Sequence, residues 1–366
     1  MVVLLGAYGW QTFVRGKALE YDMNFSCFAF QDLNRNGRYD LGDRAYTGLT
    51  IALARPDGSR VEAKSNLAGF ANFQMSSVRK RAIIRDEGVH TIDGVAPAGW
   101  EITSKNEKQQ ARFRVLPGSP TGLVADRTFE PMGIAPRLVL RGDVVGRQSF
   151  TIENPEGLRQ EVPRTKEGAF ELSATPGPWT LFAADAKGAP VTRIVEVRNH
   201  PVVVSSLGRA ERSEPMTTGE WRMDFETLTT SDTLAEIPRG YGGLDWTNWV
   251  ATHHKFYKVP GHVNGTVSGE FLAYNSSGHP GTIERANGFD LVGMFVGVAD
   301  PSAAAHDVLI RAWRGENLIF EDRLRIGFSG PLYFDADYRT ITRLEISSSG
   351  FWPVVIDDVR VRMSED

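Results

Sequence analysis

The chain contains a single cysteine, Cys27, in 366 residues, so no internal disulfide can form and its cores must hold without covalent staples. Cys27 sits beside Phe28 and Phe30 in the apolar run Met23 to Phe30, which points to a small buried hydrophobe rather than a reactive thiol. Scarcity of cysteine agrees with export. An excess of positive charge is also missing. Lys and Arg number 41 against 45 Asp and Glu, a net charge of −4, which excludes the broad basic face that nucleic-acid binding needs. Sustained helical periodicity is absent, and the best short candidate lies around Pro301 to His306. No apolar run reaches the roughly 20 residues of a membrane-spanning helix. Val2 to Val14 comes nearest, with no Lys or Arg before it and therefore no basic n-region. Residues 1–21 are expected to be a leader or the remnant of an export signal.

Catalytic signatures are missing too. There is no phosphate-cradling loop, no nucleophile elbow and no metalloprotease helix, and no carboxylate pair sits in a motif. The expectation is a protein that is not an enzyme, with a polysaccharide hydrolase as the third reading.

What is present is turn chemistry and short strands. Thirty-seven Gly and 19 Pro separate runs of β-type residues, which predicts an all-β chain of two small β-sandwiches in series followed by a C-terminal jelly-roll β-sandwich. The expected boundaries are a first sandwich over 22–133, a second over 134–207, a polar linker over 208–220 and the jelly roll over 221–366. Residues 104–110 (Ser-Lys-Asn-Glu-Lys-Gln-Gln) read as a solvated loop.

The most specific stretch is Asp32-Leu33-Asn34-Arg35-Asn36-Gly37-Arg38-Tyr39-Asp40-Leu41-Gly42-Asp43. Asp32, Asn34, Asn36, Asp40 and Asp43 fall at positions 1, 3, 5, 9 and 12, with Gly37 at position 6 and the Arg38 carbonyl at position 7. Calcium takes roughly 6–8 oxygen ligands, and alternate residues of a tight loop can wrap one ion at this spacing. The bland alternative is a polar hairpin, since Asn-Gly and Asp-rich tracts also make turns. The flanks, Met23 to Phe30 and Leu49 to Leu53, are strand-like, so this is not an EF-hand between helices.

"FQDLNRNGRYDLGDRAYTGLTIALARPDGSRVEAKSNLAGFANFQM" with "VAPAGWEITS" resembles the B-type repeats of bacterial serine-aspartate surface adhesins, over about residues 22–130. That resemblance implies a calcium-stiffened β-sandwich on an exported surface protein. Related modules with an intramolecular isopeptide bond carry a Lys in the first strand; Met23 to Phe30 has none, so no such cross-link is expected.

In the last part, "DFETL", "IPRGYGGLDWTNW", "VNGTVSGEFLAYNSSGHPGTI" and "FDLVGMFVGVAD" resemble the jelly-roll domain of PEP-CTERM-type exported bacterial proteins, over residues 223–362. The resemblance implies a carbohydrate-module-like fold. Many such modules hold a structural calcium between their first and last strands, which makes Asp224, Glu226 and Asp357 a second candidate set. Charges on edge strands are the competing reading.

Aromatic residues crowd the early jelly roll: Tyr241, Trp246, Trp249, Phe256, Tyr257 and Tyr274, with Asp245, Asn248 and Asn275 close by. Sugar rings stack on Trp and Tyr faces while Asn and Asp bond their hydroxyls, so these are the candidate ligand-binding residues. Against that stands the core, which takes most of a sandwich's aromatics. His253, His254, His262 and His279 raise a metal reading, but adjacent histidines on a strand point to opposite faces, so zinc is not expected. The functional expectation is an exported or cell-surface, calcium-stabilised protein whose jelly roll binds a glycan or a cell-surface protein. The runner-up is a self-associating subunit of a surface layer, filament or biofilm matrix.

Overall fold

The structure, a computed structural model, describes residues 25–73, 87–115, 123–145, 150–209, 219–228, 234–300, 307–326 and 330–363. The expected leader 1–21, the helical candidate Pro301 to His306 and most of the linker 208–220 lie outside the described residues. The chain is all-β, as composition and turn spacing predict, and forms two compact units: 1–32, 36–96 and 102–134 in one, 33–35, 97–101 and 135–366 in the other. No helix among the described residues is long and apolar enough to cross a membrane.

The first unit is built from β1 (Phe25–Gln31), β2 (Arg44–Ala45), β3 (Thr50–Ala54), β4 (Arg60–Lys64), β5 (Phe70–Phe73), β6 (Gly88–Val95), β8 (Lys108–Val115) and β9 (Leu123–Ala125), with the end of β7 (Trp100–Ile102) and the start of β10 (Met132–Pro136). One sheet runs β4-β3-β6-β8-β9; the other runs β2-β1-β10-β7, with β5 also paired to β1. Alternation does the sorting: in β8 Ala111 and Phe113 turn inward while Arg112 and Arg114 stay outside. Phe30, Tyr46, Leu49, Ile51, Leu53, Phe73, Ile92, Phe113 and Ile134 fill the core, and Cys27 is buried with them. Gly69 has φ +80°, and a side chain there would strike the Ala29 carbonyl and the Phe28 ring, so the turn before β5 requires glycine. The segment expected as a loop over 104–110 is corrected at its end: Lys108 to Gln110 open β8 and pair with Asp93 to Thr91. Lys108 and Gln110 face solvent and Gln109 is half-buried and bonds the Glu130 backbone, so a polar strand opening reads in composition like a loop.

The second unit opens with β11 (Val139–Val144), β12 (Thr151–Glu153), β13 (Arg159–Glu161), β14 (Ala169–Ser173), β15 (Gly177–Ala184), β16 (Pro190–Val197) and β17 (Val202–Leu207). The sheet β13-β12-β15-β16 and the strands β14-β11-β17 enclose a small core of Leu140, Phe150, Ile152, Phe170, Trp179, Leu181, Val195 and Val204. The rest comprises β18 (Glu220–Met223), β19 (Leu234–Glu236), β20 (Asp245–Thr247), β21 (Trp249–His253), the short helix α1 (Pro260–Gly265), β22 (Phe271–Asn275), β23 (Gly281–Val298), β24 (Asp307–Arg314), β25 (Asn317–Arg325), β26 (Leu332–Ser348) and β27 (Val354–Arg362). These do not form a sheet of their own. β17 pairs in parallel with β26, Val202 opposite Tyr333 and Val204 opposite Asp335, so one sheet runs β14-β11-β17-β26-β23-β27-β22-β21-β19.

Polar side chains close this seam. Arg193 of β16 pairs with Asp335 of β26 and also donates to the Asp335 carbonyl at 2.8 Å. Arg193 donates to Ser205 Oγ at 2.9 Å, and Ser205 in turn donates to the Ala336 carbonyl. Asp322 accepts from Arg209 at 2.9 Å, from Ser206 Oγ at 3.0 Å and from the buried Tyr338 hydroxyl. Burial pushes the Asp335 carboxyl upward while Arg193 pulls it down. Removing one partner of a buried pair strands the other, typically at about 3–5 kcal/mol. Arg193→Ala is therefore expected to lower the unfolding free energy by about 3 kcal/mol in a urea titration. Arg193→Leu combined with Asp335→Leu should recover most of that loss, and a single-variant loss below roughly 0.5 kcal/mol would show a solvated pair.

Candidate functional site

The loop Asp32–Asp43 leaves β1 and closes on its own oxygen atoms. Asp32 is buried; its Oδ1 accepts from Asn36 N at 3.0 Å, and its Oδ2 accepts from Gly37 N at 2.8 Å and from the Thr103 hydroxyl. Asn36 Oδ1 accepts from Arg38 N at 2.7 Å, Asn36 Nδ2 donates to Asp40 Oδ2 at 2.6 Å, and Asp43 Oδ2 accepts from Asp40 N at 3.0 Å. Gly37 turns the chain at φ +76°, where a Cβ would meet the Thr103 carbonyl at 3.1 Å and Ser104 Cα at 3.2 Å. Tyr39 pins the outer side, edge-on to Phe28 at 5.0 Å and to Phe30 at 5.3 Å. Asn34, Asn36, Arg38 and Asp40 stay exposed. Thr103 is the supporting residue that sequence reasoning missed, because it reaches Asp32 from 71 positions away.

The second candidate set is not drawn together. Glu226 Oε1 accepts from Glu270 N and Phe271 N, both at 2.8 Å. Asp357 is buried; its Oδ2 accepts from Val267 N at 2.7 Å and Ser268 N at 3.1 Å, and its Oδ1 accepts from Asp358 N at 2.7 Å. Burial, with Asp358 alongside, pushes the Asp357 carboxyl well above the usual carboxylate range. Asp224 accepts from Arg222 at 3.2 Å. Among the described residues no three His, Cys, Asp or Glu side chains are gathered as a metal-holding group. Glu226 and Asp357 fasten the loop 267–271 through its amides, while Asp224 also accepts from Glu226 N at 3.3 Å, so each of the three carboxylates is held by its own partners.

Most of the candidate ligand-binding aromatics are core. Trp246 and Trp249 are 4% and 2% exposed, so neither offers a face to a sugar. Asn248 at φ +61° kinks the chain between them and turns both rings inward, 6.4 Å apart and edge to face. Trp246 Nε1 donates to the Tyr241 carbonyl at 2.9 Å, and Phe225 and Tyr241 complete the cluster. Asn248 Nδ2 donates to the carbonyls of Ser276, His279 and Pro280 at 3.0–3.3 Å, so its polarity serves the loop. Asn275 is fully buried, donating to the His279 carbonyl and accepting from Val354 N, both at 2.6 Å. Asp245 is exposed at the outer side of β20.

Two rings remain open. Phe256 and Tyr257 are each 41% exposed and stand edge to face at 5.1 Å. Tyr257 is held from behind: its hydroxyl meets that of the buried Tyr274 at 2.6 Å, and its ring lies 5.1 Å from His262 on α1. The expectation that His253 and His254 face opposite ways is corrected. β21 ends at His253, a turn follows, and both rings go inward 4.7 Å apart, with His253 Nε2 2.8 Å from Glu270 Oε2.

No family model matches the chain, and no curated protein matches it. Among solved structures it is similar to the Bacillus anthracis TIE protein, at 11% identity over 50% of this chain and 32% of that one, with a TM-score of 0.21. The chain thus spans about a third of that protein's length. A cleaved adhesin domain (K1) of Lys-gingipain from Porphyromonas gingivalis W83 is similar at 12% identity, over 40% of this chain and 99% of that one, with a TM-score of 0.26. The CBM51-2 and INT domains of Clostridium perfringens ZmpB, solved with GlcNAc, give 12% identity over 62% and 48% of the two chains, with a TM-score of 0.23. Likeness at this level assigns no family.

His262 supports a test of the packing behind Tyr257. It is buried, both ring nitrogens lack hydrogen-bond partners among the described residues, and burial lowers its pKa from 6.5 to about 4. The unfolded chain takes up a proton below about pH 6.5 that the folded chain refuses until about pH 4, so stability is full above 6.5 and falls as pH drops through that window. A shift of that size corresponds to roughly 3 kcal/mol at its limit. His262→Phe is expected to keep or raise the melting temperature at pH 7 and to flatten the decline between pH 6.5 and 4. An unchanged acid limb in this variant would show that another group carries it.

Proposed function

We propose that the chain is a non-catalytic exported surface or matrix protein, stabilised by calcium at the loop 32–43, whose C-terminal part binds a glycan or a cell-surface partner. The observation that carries the binding reading is the open pair Phe256 and Tyr257, of which Tyr257 is held by Tyr274 and His262. Two open aromatic rings, one of them anchored before contact, supply apolar area at reduced cost in conformational entropy, which suits a pyranose face or an apolar side chain of a partner. Glycan-array binding is expected to fall about tenfold in Tyr257→Ala, in line with about 1–1.5 kcal/mol for one stacked ring. Trp246→Ala should instead unfold part of the core. Array binding equal in the native protein and in Phe256→Ala/Tyr257→Ala would refute this surface.

The calcium part is supported by the loop's chemistry. Asp32, Asn34, Asn36, Asp40, Asp43 and the Arg38 carbonyl are hard oxygen donors, and the hydrogen bonds from Asn36 N and Gly37 N hold Asp32 at the root of the turn. Bound calcium would neutralise three carboxylates and stabilise the folded unit. A ligand at 100 times its dissociation constant contributes about 2.7 kcal/mol, a shift of several degrees for a unit of this size. The full chain should melt in two steps, the step assigned to the first unit lying several degrees higher in calcium than in chelator. Asp40→Ala, an exposed substitution, should erase the difference, and equal melting in both conditions would reduce the loop to a polar turn.

A further inference from the structure

A groove of about 490 Å³ lies in the second unit, where β16 passes over the sheet face of β26, β23, β27 and β18. Its volume falls in the range of small-ligand sites, roughly 300–1,000 Å³. Three half-buried rings converge there: Phe295 stands edge to face with His200 at 4.9 Å and with Tyr333 at 5.1 Å. Ile194, 69% exposed on β16, forms the opposite apolar lip. Around the rings stand three arginines, Arg198, Arg222 and Arg360, and four carboxylates, Glu196, Glu220, Asp335 and Asp358. Arg360 pairs with Glu220 and donates to the Tyr333 hydroxyl at 3.3 Å, and Arg222 lies 3.6 Å from Asp358. Asp335 is held by Arg193 and Arg222 also meets Asp224 at 3.2 Å, so most of this charge is paired, while the guanidiniums keep N–H groups and the carboxylates keep lone pairs for a visitor. The Tyr333 hydroxyl accepts from Arg360, which leaves its proton free to donate. Arg198, exposed on the rim, has no hydrogen-bond or ion-pair partner among the described residues.

An apolar floor ringed by balanced donors and acceptors does not favour a net ion, nor a purely apolar ligand. It suits a molecule with apolar ring faces and hydroxyls that both give and accept hydrogen bonds. We propose that this groove is a second binding site, for a neutral saccharide of about two pyranose rings, with one ring against Phe295 and Tyr333 and its hydroxyls shared by Arg198, Arg360 and the Tyr333 hydroxyl. The site rests on the glycan-binding reading above but lies apart from Phe256 and Tyr257. No local sequence signal marks it, since six strands and the turn before β17 each bring one or two of its side chains.

The test is isothermal titration calorimetry of the full chain with cellobiose, maltose, lactose and diacetylchitobiose. At least one is expected to bind. Arg198→Ala and Tyr333→Phe should each weaken it fivefold or more, whereas Lys166→Ala, on an exposed turn of the small sandwich, should not. Arg198 is exposed and Tyr333→Phe removes only an oxygen, so both variants should keep the native melting temperature, which is measured alongside. Binding by none of the four disaccharides overturns the groove, and array binding dependent on Tyr257 would still uphold the broader function. Disaccharide binding that survives both groove substitutions and disappears in Tyr257→Ala also overturns the groove and leaves that function standing. Loss of array binding in Tyr257→Ala/Phe256→Ala with groove binding intact would leave both sites in place.

Discussion

The parallel pairing of β17 with β26 is the constraint on which the second unit depends. It extends the sheet of the small sandwich straight into the C-terminal strands, so the two share backbone hydrogen bonds as well as side-chain contacts. Such a seam buries polar atoms that water would otherwise satisfy, and each must find a partner. Arg193 with Asp335, Ser205 with the Ala336 carbonyl, and Asp322 with Arg209, Ser206 and Tyr338 meet that demand in a row along the join. Buried pairs of this kind add little net stability over an apolar packing, but they penalise any other register. The register in turn fixes where β16 lies over the sheet, and hence the groove beneath it.

Local elements of this fold were legible because strand alternation and Gly/Pro turns act over a few residues. The tight turn at 32–43 was legible for the same reason, since its Asn-Gly and Asp spacing is a property of one short segment. Pairings between distant strands were not. β1 meets β10 about a hundred residues on, and β17 meets β26 beyond the whole early jelly roll, with nothing in either sequence naming the partner. Thr103, which completes the bonding of Asp32, is hidden by the same distance.

The aromatic cluster shows a different limit. Trp246 and Trp249 stand three apart, and in a regular strand one would face in and the other out. A left-handed residue at Asn248 resets the alternation and sends both to the core. His253 and His254 escape the same rule because the strand stops between them. A one-residue departure from regular backbone reverses a side chain's face, and residue type gives only weak warning of it. Asn tolerates the left-handed region better than most residues, which is the one hint Asn248 offered.

Both surfaces proposed for binding share a physical property: each has an anchoring group that is tied before a ligand arrives. Tyr257 is held by Tyr274 and His262, and Arg360 by Glu220 and Tyr333. An unrestrained Arg or Tyr would lose rotamer freedom on contact, at roughly 0.5–1.5 kcal/mol for each side chain. For Tyr257 and Arg360 folding has already removed that freedom. Sugars make few strong contacts and must shed water to make them, so a rigid, partly desolvated surface is where weak contacts can leave a surplus. The same logic separates Trp246 and Trp249 from the rest: rings that are fixed but wholly buried stabilise the scaffold, and only rings that are fixed and open can serve a ligand.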